Sequence, residues 1–261
     1  MKTLSAIMAE IEDESSKLDF LPTGFPSVDT VLDGGFMKKE LVILGAFTGI
    51  GKSMIAGQIL LNIAKQGNKT AYFSLEISEK MIVSRLLGSL SNIKPSLIIK
   101  NEINPEQQQP LVDAKLDLIV WEDCIHIYDS IYHLDQVEGI IRSNEYDFVV
   151  IDFIQNLISE GTEYERMTAS SLRLQKLAKE KDCTIMALSQ LSNSAAKTED
   201  LEYKGSGGIA MVADLGFFLS RDKEVSLNSL TLNLRKNRRG VSGDIFALEF
   251  TYPGGWINEK K

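Results

Sequence analysis

Cysteine and histidine are scarce: 261 residues carry two of each. Cys124 and Cys183 lie far apart without C-x-x-C spacing, and His126 and His133 form no ligand pattern with them. A disulfide framework and a zinc site are therefore excluded as organising devices, and both thiols are expected to be buried, in a reducing compartment. No apolar run is long enough to span a bilayer, and the opening MKTLSAIMAEIEDESSK is too acidic and too weakly apolar for a signal peptide. A soluble, cytoplasmic protein with no membrane partner is the expectation. Surplus positive charge is also missing. A formal charge of −8 and a pI near 5.0 disfavour general coating of nucleic acid. Any phosphate or DNA role must use local patches, the densest being RKNRR at 235–239, with four positive charges in five residues.

What is present is an ordinary globular composition, 44% hydrophobic and 25% charged, sufficient for one large α/β domain with a well-buried core. Leu4, Ile7, Met8 and Ile11 recur at helical spacing, which predicts a short amphipathic helix over residues 2–17. Such a stripe packs either on its own domain or on a neighbouring subunit. The stretch DFLPTGFPS, with two prolines and a glycine, reads as a linker and sets a boundary near residue 20. Residues 1–20 are then a linker helix and 21–261 the main domain. From residue 40 onward short apolar runs (LVILG, TAYFSL, IHIYD, DFVVID, CTIMALS) alternate with helical patterns near 52–66, 78–91, 105–118, 132–144 and 164–181. That alternation predicts β-α units around a mainly parallel central sheet with helices on both faces. After residue 214 the pattern changes to LGFFLS, SLTLNLRK and DIFALEF, predicting antiparallel strands at the C-terminal end.

GAFTGIGKS, residues 45–53, runs from a strand through a glycine-rich turn into a helix, the context a phosphate-binding loop requires. Backbone N–H groups of residues 49–53 can cradle phosphate at the helix N-terminus, Lys52 supplies positive charge, and the Ser53 hydroxyl can coordinate Mg²⁺. The nucleotide-binding set read here is Ala46, Thr48, Gly49, Ile50, Gly51, Lys52 and Ser53. Ala46 stands where the usual pattern has its first glycine, a weak departure if Gly45 or Gly49 makes the tight turn. Hydrolysis also needs a metal clamp and a group that positions water. Asp152 ends the apolar strand FVVID and suits the first role; a solvated strand-end acid is the alternative. Glu76 follows another strand and suits the second, although a helix N-terminal acid has the same appearance. Gln190 ends a third strand, either as a sensor of the γ phosphate or as an ordinary strand-end amide.

TGFPSVDTVLDGG, GAFTGIGKS, FSLEIS, VVIDFIQNL, SSLRLQKLAKE, ALSQLS and LRKNRRGVSGDIFALEF together resemble, in order and spacing, the RecA-like motor domain of DnaB-type replicative DNA helicases. The resemblance covers about residues 20–257 and implies a RecA-like P-loop NTPase fold, ATP and Mg²⁺ as cofactors, and a homo-oligomeric, hexameric ring on single-stranded DNA, with a loader or primase as further partner. It implies Glu76 as catalytic base, Asp152 as metal-associated acid with Ser53, and Gln190 as γ-phosphate sensor. Arg238 matches the arginine finger and Lys236 its companion, both acting on a neighbour's nucleotide; Arg239 is left as a solvated hairpin residue. EYKGSGGIAMVAD matches the DNA-facing loop, with Lys204, Gly205, Ser206 and Gly207 as DNA contacts; Gly205 and Ala210-Met211 depart from the family's usual residues. The family's N-terminal collar domain has no counterpart in these residues. A RecA-like recombinase, a clock-type signalling ATPase, or a helicase partner that holds nucleotide without turnover are the alternatives.

Overall fold

The computed structural model describes residues 3–14, 20–159, 162–191, 211–221 and 226–260. The first helix, α1 (Leu4–Glu14), leaves Leu4 and Met8 exposed. The proline-rich stretch that reads as a linker is instead folded into the domain from Phe20 onward. Strand β1 (Phe20–Leu21) pairs with β2 (Phe36–Met37), and α2 (Pro26–Val31) lies between them. Leu21, Phe25, Val28, Leu32 and Phe36 are all buried. Gly24 has φ +82 and Pro26 starts α2, so the residues that suggest a break build a tight entry turn. Asp29 closes it by accepting from both Thr23 N and Thr23 Oγ1 at 2.7 Å.

This entry cap is fastened by Arg239, which is therefore not a solvated hairpin residue. Its guanidinium donates to Leu32 O and Gly35 O, each at 2.9 Å, and its Nε lies 2.9 Å from Glu40 Oε1. Both partners of that ion pair are largely buried, and the guanidinium also packs on the Phe20 ring.

The main sheet is built from β3 (Leu41–Ala46), β4 (Thr70–Ser74), β5 (Ile125–Tyr128), β6 (Phe148–Asp152), β7 (Thr184–Gln190), β8 (Leu215–Arg221), β9 (Ser229–Asn237), β10 (Ile245–Thr251) and β11 (Trp256–Glu259). Their order is β11-β10-β9-β8-β3-β7-β6-β4-β5. β8 is the seam: it runs parallel to β3 on one side and antiparallel to β9 on the other, so the antiparallel part starts one strand later than LGFFLS suggests. Helices α3 (Lys52–Ala64), α4 (Glu79–Ser91), α5 (Pro95–Lys100), α6 (Pro105–Ile119), α7 (Leu134–Ser143) and α8 (Glu163–Lys181) complete the chain.

Two cores result from strand alternation. Val42, Leu44, Phe148, Val150, Met186 and Leu188 face α3, whereas Leu41, Ile43, Val149, Ile151 and Ile185 face α7 and α8. The inner strands are buried on both faces, which is why they read as unbroken apolar runs. α4, α5 and α6 form a smaller cluster around Leu87, Ile93, Leu111 and Ala114, and its outer side exposes Val112, Leu116, Ile119 and Val120. Cys183 is buried, which pushes its thiol up to about 12, while Cys124 is only partly covered. Among the described residues no helix is long and apolar enough to cross a membrane.

Candidate nucleotide site

β3, β6 and β7 all end at the same edge of the sheet, and β3 feeds the glycine loop into α3. Gly49 (φ +76) and Gly51 (φ +121) adopt backbone conformations closed to ordinary L side chains, although a Cβ at either would meet nothing within 4 Å. Conformation rather than space therefore demands glycine there. Gly51 is the N-cap of α3, and no side chain caps it; Met54 N turns back to Gly51 O at 3.1 Å, and the Lys52 and Ser53 N–H groups remain available to an anion.

Around this loop lies a cavity of about 440 Å³, within the range of small-molecule sites. Thr48, Gly49, Gly51, Lys52, Ser53, Glu76, Asp152 and Gln190 all line it. Ala46 and Ile50 do not: Ala46 is buried in β3, with its carbonyl accepting from Lys52 Nζ at 3.0 Å, and the Ile50 carbonyl accepts from Arg221 at 3.3 Å. Both support the loop through backbone atoms. Burial pushes the Lys52 ammonium below its ordinary range, against the opposing pull of Asp152 and Glu76.

Asp152, 1% exposed, accepts from the Tyr72 hydroxyl at 2.6 Å. Glu76 is exposed, but its backbone is held on both sides of Leu75: Leu75 N donates to Asp152 O at 2.8 Å, and Leu75 O accepts from Asn156 Nδ2 at 3.0 Å. A free carboxylate on a fixed backbone is suited to positioning water. Gln190 reaches the glycine loop directly, donating from Nε2 to Thr48 Oγ1 at 2.7 Å. Gln155 fixes its backbone, donating to Gln190 O at 2.9 Å and accepting from Gln190 N at 3.3 Å.

A metal accompanying the nucleotide fits the donor set. Asp152 and Ser53 present hard oxygens, and among the described residues no group of three or more His, Cys, Asp or Glu forms a self-sufficient cage. A cation held by one carboxylate, one hydroxyl and the phosphates themselves is the Mg²⁺ pattern.

Lys236 and Arg238 do not reach this cavity. Arg238 pairs with Asp214 at 2.8 Å and donates to Met211 O at 3.0 Å; Lys236 donates to the same carbonyl at 2.8 Å. The DNA-contact candidates Lys204, Gly205, Ser206 and Gly207 lie outside the described residues. Residues not anticipated from sequence complete the wall: Arg85 from α4, Arg221 at the end of β8, and Phe250 and Tyr252 from β10 and its exit. The Arg221 guanidinium lies 6.0 Å from the Phe250 ring centroid, and Phe250 meets Tyr252 edge-on at 4.9 Å, a surface that can take a planar base. Gln155 and Asn156 had a visible signal, two adjacent amides following Phe153 and Ile154 just past the strand-end acid Asp152.

The family profile of the DnaB-like helicase C terminal domain matches residues 21–252. The chain belongs to this family. It is 29% identical over 247 residues to the replicative DNA helicase DnaB of Treponema pallidum (strain Nichols), covering 90% of this chain and 55% of that protein. It thus spans about half the length of the curated relative it matches. Among solved structures, a DnaB-like replicative helicase described together with its interactions with primase superposes with a TM-score of 0.84 at 23% identity, over 99% of this chain and 67% of that one. A KaiC-like protein, PH0186 from Pyrococcus horikoshii OT3, superposes with a TM-score of 0.68 at 18% identity, over 94% of this chain and 100% of that one. The RecA-like fold is common to these structures, and the match to the family profile is what separates the DnaB-like chain from the clock-type alternative.

Proposed function

We propose that this chain is the motor of a ring-shaped DNA helicase, hydrolysing Mg·ATP between subunits and moving 5′ to 3′ on single-stranded DNA in the cytoplasm. The observation that carries the reading is a divided catalytic set. Lys52, Ser53, Glu76, Asp152 and Gln190 surround one cavity, while Lys236 and Arg238 lie outside it in the same chain.

In this reading the α3 N-terminus and Lys52 would hold the phosphate oxygens, and Ser53 and Asp152 would hold a cation that supplies charge neutralisation. Glu76 takes a proton from the attacking water, and Gln190 reports the γ phosphate to the glycine loop through Thr48. Arg221, Phe250 and Tyr252 flank the base. Arg238 and Lys236 of the adjacent subunit supply the cations that the transition state requires. Both already bind the Met211 carbonyl, at the exit of the segment proposed to face DNA, which supports a link between strand binding and turnover. Assembly draws on two exposed apolar stripes, Leu4 and Met8 on α1 and Val112, Leu116 and Ile119 on α6. We assign α1 to a neighbour's α6 face, and the chain from Phe20 onward to the motor itself.

The test is ATP hydrolysis with and without single-stranded DNA, alongside forked-duplex unwinding, for the native chain and Glu76→Gln. DNA-stimulated hydrolysis and unwinding are expected, with hydrolysis reduced about 10²-fold or more in Glu76→Gln while nucleotide binding persists. Hydrolysis indifferent to DNA, without unwinding by assembled rings, sinks the motor reading.

A further inference from the structure

The Asp152 carboxylate is held by a buried phenol. Tyr72 lies within β4, on the same face of the sheet as Asp152, because the parallel register pairs Tyr72 with Val150 and Ser74 with Asp152. Its ring is buried at 1% exposure in the apolar core against α3, where phenylalanine would fill the same space. The hydroxyl is thus the part that calls for a reason, since buried polar groups are retained with partners. It donates to Asp152 Oδ2 at 2.6 Å.

We propose that Tyr72 is a positioning residue for the cation that accompanies the nucleotide, fixing the Asp152 carboxylate through Oδ2 before the cation arrives. This rests on reading the cavity as a Mg·ATP site. Proton direction decides what each oxygen can offer. A phenol has one proton to give. Tyr72 gives its own proton to the carboxylate, a charge-assisted bond, which fixes Asp152 through Oδ2 and leaves Oδ1 for a metal or its water. The reverse direction would leave a buried carboxylate oxygen without its donor, so it is disfavoured. Outer-shell partners of this kind orient ligands before the metal arrives.

The experiment is equilibrium binding of a fluorescent ATP analogue as Mg²⁺ is titrated, with an EDTA arm, for the native chain, Tyr72→Phe, Asp152→Asn and the double variant. Tyr72→Phe should raise the Mg²⁺ concentration at half-saturation about ten-fold, the low end for losing an outer-shell partner. Nucleotide affinity in EDTA should not change, and Tyr72→Phe should add nothing in the Asp152→Asn background. An unchanged Mg²⁺ midpoint overturns the proposal. So does an equal loss with and without Mg²⁺, or a Tyr72→Phe chain that fails to fold by circular dichroism, because either assigns the hydroxyl to core stability. A native chain that binds the analogue with no response to Mg²⁺ overturns the Mg·ATP reading instead, which separates the two failures.

Discussion

The two halves of the proposed catalytic set are held in opposite ways. On the phosphate-loop side, Lys52 and Asp152 are buried, Gln190 is clamped by Gln155 and tied to Thr48, and Glu76 sits on a pinned backbone. On the other side, Arg238 is 46% exposed, and its bonds run to Asp214 and a main-chain carbonyl. One half is organised without a partner. The other consists of cations on a strand end, whose work depends on what is brought to them. In the proposed motor such a division would make turnover require two chains in register.

The sharpest way to break the comparison is to separate the halves genetically. Arg238→Ala should bind nucleotide normally and lose turnover by about 10³-fold, the scale of an arginine finger. Asp214 keeps its bonds to Leu41 N and Gln175, so the fold should persist. Mixed with Lys52→Ala subunits, which keep their cations but lack the phosphate lysine, part of the turnover should return. Hydrolysis assays across mixing ratios check this, and no recovery at any ratio counts against a finger acting between subunits.

A second variant sharpens the contrast within a single tripeptide. Arg239 is adjacent to Arg238, yet it belongs to the interior, and Arg239→Ala should cost about 3 kcal/mol by leaving Glu40 buried without its cation. Burial already raises the Glu40 carboxyl above its ordinary 4.5, with Arg239 the main opposing influence. Removing Arg239 raises it further. A raised acid stabilises the fold when protonated and loses that contribution as pH rises through the folded value, so the Arg239→Ala penalty should shrink on acidification. Thermal melts of native and variant chains from pH 8 down to pH 5 measure it; a penalty that grows on acidification refutes the assignment.

Arg239 also shows where sequence reading stops. Strand ends were legible because an apolar run followed by one polar residue, as at Asp152 and Gln190, is a local pattern with a fixed meaning in a parallel sheet. The glycine loop and α3 were legible for the same reason. Arg239, in contrast, binds Leu32, Gly35 and Glu40, at the other end of the chain, and nothing local in RKNRR distinguishes it from Arg238. The cavity's Arg221, Phe250 and Tyr252 were missed likewise, since they reach the site only because β8 and its antiparallel followers lie beside β3. The linker reading failed differently. Proline and glycine mark a change of direction, and here the turn they make enters the domain rather than leaving it.

The smallest effect on a single chain should come from the apolar stripe on α6. Leu116 is 56% exposed, so Leu116→Glu removes little that is buried and should change stability by no more than about 0.5 kcal/mol. Its expected consequence lies in assembly. If the face receives α1 of a neighbour, a carboxylate there must be desolvated against Leu4 and Met8, a cost incurred only in the ring. Analytical ultracentrifugation with nucleotide present should show Leu116→Glu shifted toward monomer, and Leu4→Glu should produce the same shift from the other side of the contact. The two substitutions combined should do no more than either alone, because each breaks the one contact. Additive losses would place α1 and α6 in different interfaces. An unchanged sedimentation profile in both variants would leave ring formation to Lys236 and Arg238 meeting a neighbour's nucleotide cavity, making the nucleotide itself the principal bond between subunits.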